Sequence, residues 1–181
     1  MKEESKSTGA ICKTEWTVSH KASADGNQME IIFGGGEKLE IGMAQQNLIL
    51  VFDKGLNRML MCKRSKAPYQ GLLNLVGGKV EPKEDSVSAA YRELEEETTI
   101  SRDDIELTHL MDLTYYLHGR TLEVYVGRLK SDMSVSGSEN KLFWLPIQDY
   151  RTCSGWLAGD GNVEHIIEYT LQLIETNKLH L

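Results

Sequence analysis

The chain has 181 residues, 40% of them hydrophobic, enough for one domain with a sizeable core plus an appendage. Its formal net charge of −7 argues against binding a nucleic-acid polymer or an anionic membrane. A small anionic substrate remains compatible, because a bound divalent cation inverts the local field. No apolar run reaches the ~18 residues of a membrane span, and the N-terminus MKEESKSTG lacks the apolar core of a leader. Cys12, Cys62 and Cys153 are scattered without metal-ligand spacing, so reduced thiols and a cytoplasmic location are expected.

Residues 1–10 are polar and expected to be flexible. Residues 11–43 form a β-rich extension, with strands predicted at 15–19, 29–33 and 38–41. Ala24-Asp25-Gly26-Asn27 and Gly34-Gly35-Gly36 read as the turns between them. The glycine triplet is a hairpin loop rather than a phosphate cradle, since no Lys-Ser/Thr follows at P-loop spacing. This extension is expected to add a sheet edge or to pair with a second copy as a homodimer.

The main domain spans 44–181. The run NLILVF at 47–52 predicts a buried strand, and RMLMCK at 58–63 a returning one. A third strand over 72–76 leads into Gly77-Gly78. A helix is predicted over 85–98, capped by Asp85 or Ser86, with Val87, Ala90, Tyr91 and Leu94 as its apolar stripe. Strands at 105–116 and 121–129 join at a His118-Gly119-Arg120 hairpin, and 131–137 is a polar loop. A strand over 142–145 stops at Pro146, and a short helix at 147–150 follows. A glycine-rich loop over 155–162 holds Trp156 and Asp160. An amphipathic helix over 163–177 closes the chain, with Val163, Ile166, Ile167, Thr170, Leu171 and Ile174 on its apolar face. Strands interleaved with helices predict an α/β domain with a mixed sheet between helices.

The chemistry concentrates between Gly78 and Ile100. Glu93, Glu96 and Glu97 stand at i, i+3 and i+4, on one face of one helical turn. Like charges at that spacing repel by a few tenths of a kcal/mol per pair, so the crowding gains from a cation seated against it. Oxygen-only ligands on a rigid scaffold suit Mg²⁺ or Mn²⁺. A bare acidic run is most often a solvated face. Here the acids sit in a longer frame: Gly78, five residues, Glu84, seven residues, Arg92-Glu93, then Glu96-Glu97. That frame arises by chance in a chain of this length with a probability on the order of 1 in 10⁵.

The stretch resembles the Nudix box at Gly78, Glu84, Arg92, Glu93, Leu94, Glu96, Glu97 and Ile100. It departs at Thr99, where the family has glycine. A glycine there supplies a left-handed residue past the helix, which threonine adopts at a cost of about 1–2 kcal/mol. Altered stability or loop geometry is expected rather than lost chemistry. The resemblance implies a Nudix-type α/β/α sandwich that splits a phosphoanhydride in a nucleotide substrate with Mg²⁺, or Mn²⁺ as a substitute. It makes Glu93, Glu96, Glu97 and the Gly77 carbonyl metal ligands, with Glu96 or Glu97 also orienting or deprotonating the water. Glu84 and Arg92 are expected to form a buried pair fixing the loop to the helix, and Gly78 to bring the chain close to the metal. Arg64, Lys66 and Lys79 are candidate phosphate clamps. Glu139, before Trp144, resembles the further acid of MutT-like members, a ligand or general base.

GLLNLVGGKVEP resembles sanitising enzymes that act on oxidised purine nucleoside triphosphates such as 8-oxo-dGTP. It puts the Asn74 amide at a base pocket; from their own chemistry, Trp156 is a candidate to stack on the base and Asp160 or Asn162 to read its edge. Tyr115 stands where ADP-ribose hydrolases have proline, which argues against that substrate; Tyr116 loosely fits a marker of dinucleoside polyphosphate hydrolases. The expectation is a triphosphate pyrophosphohydrolase, with dinucleoside polyphosphate or nucleotide-sugar hydrolysis as the alternative within enzymes. A nucleotide sensor without turnover is the alternative from another class. Thr99 admits it, and the intact acidic trio argues against it.

Overall fold

A computed structural model describes residues 19–22, 28–32, 38–137 and 139–181. The chain divides into two units, Met1–Met43 and Ala44–Leu181. In the first, β1 (Ser19–Ala22), β2 (Gln28–Ile32) and β3 (Lys38–Gly42) pair antiparallel in sequence order. The strand expected at 15–19 meets β1 only at Ser19; residues 15–18 and the expected turns at 24–27 and 34–36 lie outside the described residues.

The second unit is a mixed sheet with a helix on each face. In chain order it comprises β4 (Ala44–Phe52), β5 (Arg58–Lys63), β6 (Leu73–Asn74), helix α1 (Ser86–Thr98), β7 (Ile105–Tyr115), β8 (Arg120–Leu129), β9 (Lys141–Pro146) and helix α2 (Asn162–Glu175). The strand order is β6-β5-β4-β8-β7, with β9 paired along β5. β4 and β8 run parallel, and the other pairs are antiparallel.

The apolar run in β4 explains its central place. Its side chains alternate between faces, and both faces are covered. Ile49 and Val51 pack with Val76, Ala90 and Leu94 on the α1 side. Leu50 and Phe52 pack with Val163, Ile166 and Ile167 on the α2 side. Cys62 lies in the α1-side core; burial, with the nearby Glu97 carboxylate, pushes its thiol up to about 12. Among the described residues no helix is long and apolar enough to cross a membrane.

Three expectations shift. Val87 is exposed, and Ala89 is buried instead beside Ala90 and Leu94. Adjacent alanines let the helix lie close on the sheet, which rotates the covered stripe away from Val87. The strand expected over 72–76 is regular only at Leu73–Asn74. It leaves β5 there, and Val76 bridges to Ile49 of β4, so the segment changes partner on its way to the bend. The short helix after Pro146 runs as a 3₁₀ segment through Ile147–Trp156, so Trp156 belongs to it and not to a loop.

Asp85 caps α1, its carboxylate accepting from the Ser88 N–H at 3.0 Å. At the other end Thr99 adopts φ 67° and ψ 7°, the left-handed conformation glycine favours. Its N–H still donates to the Glu95 carbonyl at 2.9 Å, so the cap is kept at the expense of backbone strain. Thr99→Gly is therefore expected to stabilise the protein by about 1 kcal/mol and raise the melting midpoint by about 3 °C. An unchanged or lower midpoint in a calorimetric scan would show that the loop carries no strain.

Candidate active site

The site is built on the bend that follows β6. Gly77 has φ 135°, and a Cβ on it would lie 2.3 Å from the Asn47 carbonyl oxygen. A Cβ on Gly78 would lie 2.3 Å from the Glu93 carboxyl carbon. Only glycine fits between strand and helix at this approach. Asn47 clips the bend from below: its N–H donates to the Gly78 carbonyl at 2.8 Å, and its Oδ1 accepts from the Gly78 N–H at 3.2 Å. Glu97 clips it from above, its Oε2 accepting from the Gly77 N–H at 3.0 Å.

Arg92 ties the helix to the loop after the bend. Its Nε and Nη2 donate to both carboxylate oxygens of Glu84, at 3.0 and 2.9 Å. Nη2 also donates to the Lys79 carbonyl at 3.0 Å, and Nη1 to Glu93 at 2.9 Å. The pair is part-buried rather than buried: the side chains of Arg92 and Glu84 are 30% and 20% exposed. The forked geometry raises the Arg92 pKa and holds the Glu84 carboxyl below the usual range.

Glu93, Glu97, Gly77 and Gly78 line a cavity of about 780 Å³. Glu139 joins them there. The loop that delivers it crosses the end of α1, where the Ser136 N–H donates to the Thr98 carbonyl at 3.2 Å. Glu139 pairs with Lys66 at 2.7 Å, which lowers its pKa. Burial raises the pKa of Glu97, the Gly77 hydrogen bond opposes that, and the charges of Glu93 and Glu139 add to it. Carboxylates converging on one wall form a hard-oxygen donor set that fits a divalent cation.

The cavity separates the remaining expected residues. Arg64, Asn74, Lys79 and Asp160 line it, as does Lys66. Lys66 is committed to Glu139, whereas Arg64 and Lys79 have no carboxylate partner among the described residues. Glu96 is on the box face but is 61% exposed, turned to Arg92 at 3.4 Å, and does not line the cavity. Trp156 stands apart as well: it is 65% exposed at the end of the 3₁₀ segment and outside the cavity lining. Asp160 is held by Tyr69, whose hydroxyl donates to its Oδ2 at 2.6 Å. A separate exposed group, His109, Asp112 and Glu123, brings its ligand atoms within 4.8 Å of one another, and His109 already pairs with Asp112 at 2.7 Å.

Sequence reasoning did not single out Asn47, Tyr69, His118 or Arg120, all of which line the cavity. Only Asn47 carried a signal, as a polar residue opening the buried β4 run.

A family model for the NUDIX domain matches residues 45–163. The chain belongs to the Nudix family. It is an enzyme of the Nudix hydrolase type, acting on phosphoanhydride bonds. No curated protein matches it in sequence. Similar solved structures include a C. elegans Ap4A hydrolase in a binary complex, at TM-score 0.60 and 17% identity, covering 72% of this chain and 98% of that one. The NUDIX domain of Shewanella oneidensis NrtR, complexed with ADP ribose, gives TM-score 0.60 and 20% identity, covering 74% and 89%. MutT of Aliivibrio salmonicida and Vibrio cholerae gives 0.53 and 21%, covering 70% and 98%.

Arg92 orients both Glu93 and the bend, a role a lysine cannot reproduce with one ammonium. Arg92→Lys is expected to weaken Mg²⁺ binding about tenfold, read by titration calorimetry, with the circular dichroism spectrum unchanged. Undiminished Mg²⁺ affinity would reduce the Arg92 network to a structural brace.

Proposed function

We propose that the protein hydrolyses a nucleoside triphosphate to the monophosphate and pyrophosphate, with a purine base as the preferred cargo. The observation that carries this reading is the convergence of Glu93, Glu97 and Glu139 with the Gly77–Gly78 bend on one wall of a nucleotide-sized cavity. Arg64 and Lys79, which have no carboxylate partner among the described residues, line the same space; the Arg64 Nε donates to the Pro68 carbonyl at 2.9 Å.

Glu93, Glu97 and the Gly77 carbonyl would hold Mg²⁺, with Mn²⁺ as a substitute, and Glu96 on the same helical turn would join them by leaving Arg92. Such a cation supplies charge neutralisation on the phosphoryl oxygens and acidifies a bound water. Arg64 and Lys79 grip phosphate oxygens and hold the chain in line for attack. Of the carboxylates that can take the proton of the attacking water, Glu97 is best disposed. Its Oε2 accepts from the Gly77 N–H, which leaves Oε1 without a hydrogen-bond partner among the described residues, and the residue lines the cavity. Glu96 is outside the lining, and Glu139 is engaged by Lys66. Asn74 and Asp160 supply an amide and a carboxylate to a purine edge, with Asn162 beside them in the same lining. The exposed Trp156 has no part in holding the base here.

Tyr115 in the lining favours a second reading, hydrolysis of a dinucleoside polyphosphate, in which that ring meets a second base. A panel of triphosphates, 8-oxo-dGTP, Ap4A and nucleotide sugars with Mg²⁺ separates the two. Pyrophosphate release from a triphosphate, abolished by EDTA, is expected; faster cleavage of Ap4A selects the second reading, and no product from any member sinks both. Glu97→Gln is expected to lower turnover about 10²- to 10⁴-fold while the fold persists. A near-normal rate would take Glu97 out of the mechanism.

A further inference from the structure

The cavity has an end that hydrolysis of a simple nucleoside triphosphate leaves unused. Tyr115 and Arg120 are direct cross-strand partners where β7 and β8 meet. Both line the cavity, together with His118 of the 3₁₀ turn Tyr116–His118 between them. Cross-strand partners share one face of a sheet. In β8 that face also carries Val124 and Val126, which pack in the α2-side core. The Tyr115 and His118 rings meet edge to face, with centroids 6.5 Å apart. Arg120 is exposed, and its side chain has no hydrogen bond or ion pair among the described residues. Other arginines of the domain are engaged: Arg58 by Asp53, Arg92 by Glu84, and Arg128 by backbone carbonyls.

This cation is remote from the backbone that follows the glycine bend. Lys79 bridges to Gln46 of β4, and Gln46 pairs with Leu122 of β8. Arg120 therefore stands two strands across and two residues along from the Lys79 backbone. At about 4.8 Å per strand and 3.3 Å per residue the separation is roughly 12 Å. The charge environments agree with two ends. Arg64 acts on both Glu97 and Glu139. The Tyr69 hydroxyl is held protonated chiefly by its hydrogen bond to Asp160, and the Arg120 charge opposes that.

We propose that Arg120, flanked by Tyr115 and His118, binds a second phosphoryl group that the substrate carries away from the anhydride being cut. The substrate class is then a nucleotide phosphorylated on its ribose as well as in its anhydride chain. A free guanidinium with an imidazole beside it suits the oxygens of a phosphate, and the tyrosine rings face the sugar and base. The inference rests on the hydrolase reading of the same cavity, and its test separates the two.

Wild-type protein is compared on matched pairs that differ by one remote phosphoryl group or diphosphate: NADH against NADPH, and GTP against guanosine 5′-triphosphate 3′-diphosphate. The phosphorylated member is expected to have a kcat/KM about tenfold higher, expressed in KM. Arg120→Ala is expected to bring that ratio close to one, and Arg120→Lys to keep most of it. Equal kcat/KM within each pair overturns the proposal. So does an alanine variant that keeps the wild-type ratio, or one that loses equally on both members, which assigns Arg120 to the shared nucleotide. If no member is hydrolysed, the hydrolase reading fails instead. Titration calorimetry on the same pairs then decides the Arg120 site, which requires tighter binding of the phosphorylated member.

Discussion

A backbone bend without side chains, pressed between a strand and a helix, is the constraint on which the site depends. Asn47 holds the Gly78 peptide from the sheet, and Glu97 holds the Gly77 peptide from α1. The Glu93 carboxylate lies against the Gly78 Cα, where a methyl group would displace it. The bend thus sets the distance between the two layers at the point where the acids converge. Buried polar groups that are fully bonded rigidify a site, and each carboxylate here has a named partner. One donor is left over: Asn47 Nδ2 is buried without a partner among the described residues.

Glu93 and Glu97 are held part-buried beside each other, and Glu139 approaches them from a more exposed position. Glu93 is kept in place by Arg92, Glu139 by Lys66, and Glu97 by a backbone N–H. None of these partners neutralises the group as a whole. Burial raises the Glu97 pKa, and the charges of Glu93 and Glu139 reinforce that. A fold that needed only stability would gain little from such a wall, because repulsion and desolvation both oppose it. Such a wall suits a divalent cation, which Nudix hydrolases generally use.

The box was legible because its chemistry is local. A helical period puts Glu93, Glu96 and Glu97 on one turn, and the glycine pair precedes it by a fixed spacing. Most core elements were legible for the same reason, with apolar periods of two or 3.6 residues. What stayed hidden depends on long-range pairing. Tyr69 meets Asp160 across 91 positions. Arg120 faces Tyr115 only through the register of β7 on β8, and joins Gln46 and Leu48 only because β8 runs parallel to β4. Trp156 ends a continued 3₁₀ segment and is exposed, and an aromatic residue in a glycine-rich stretch gives no sign of that. Val87 was misjudged because the alternative stripe is made of alanines, whose weak hydrophobicity understates how closely they let a helix pack.

The division of labour across β4 follows from strand geometry. Its odd-numbered residues, such as Asn47 and Ile49, face α1, and its even-numbered residues, such as Leu48 and Leu50, face α2. The cavity wraps the end of this strand and takes lining from both sides, Asn47 from one and Gln46 and Leu48 from the other. Glu93, Glu97 and the glycine bend therefore line the cavity from one helix and its bend, while Tyr69, Tyr115, His118 and Arg120 line it from strand ends and loops. Loops and strand ends change without disturbing the core, whereas the helix and bend are locked to it. Similar folds at 17–21% identity include an Ap4A hydrolase and a domain complexed with ADP ribose. For this chain the distinguishing groups are Tyr69, Tyr115, His118 and Arg120, all outside the box and all on the cavity wall.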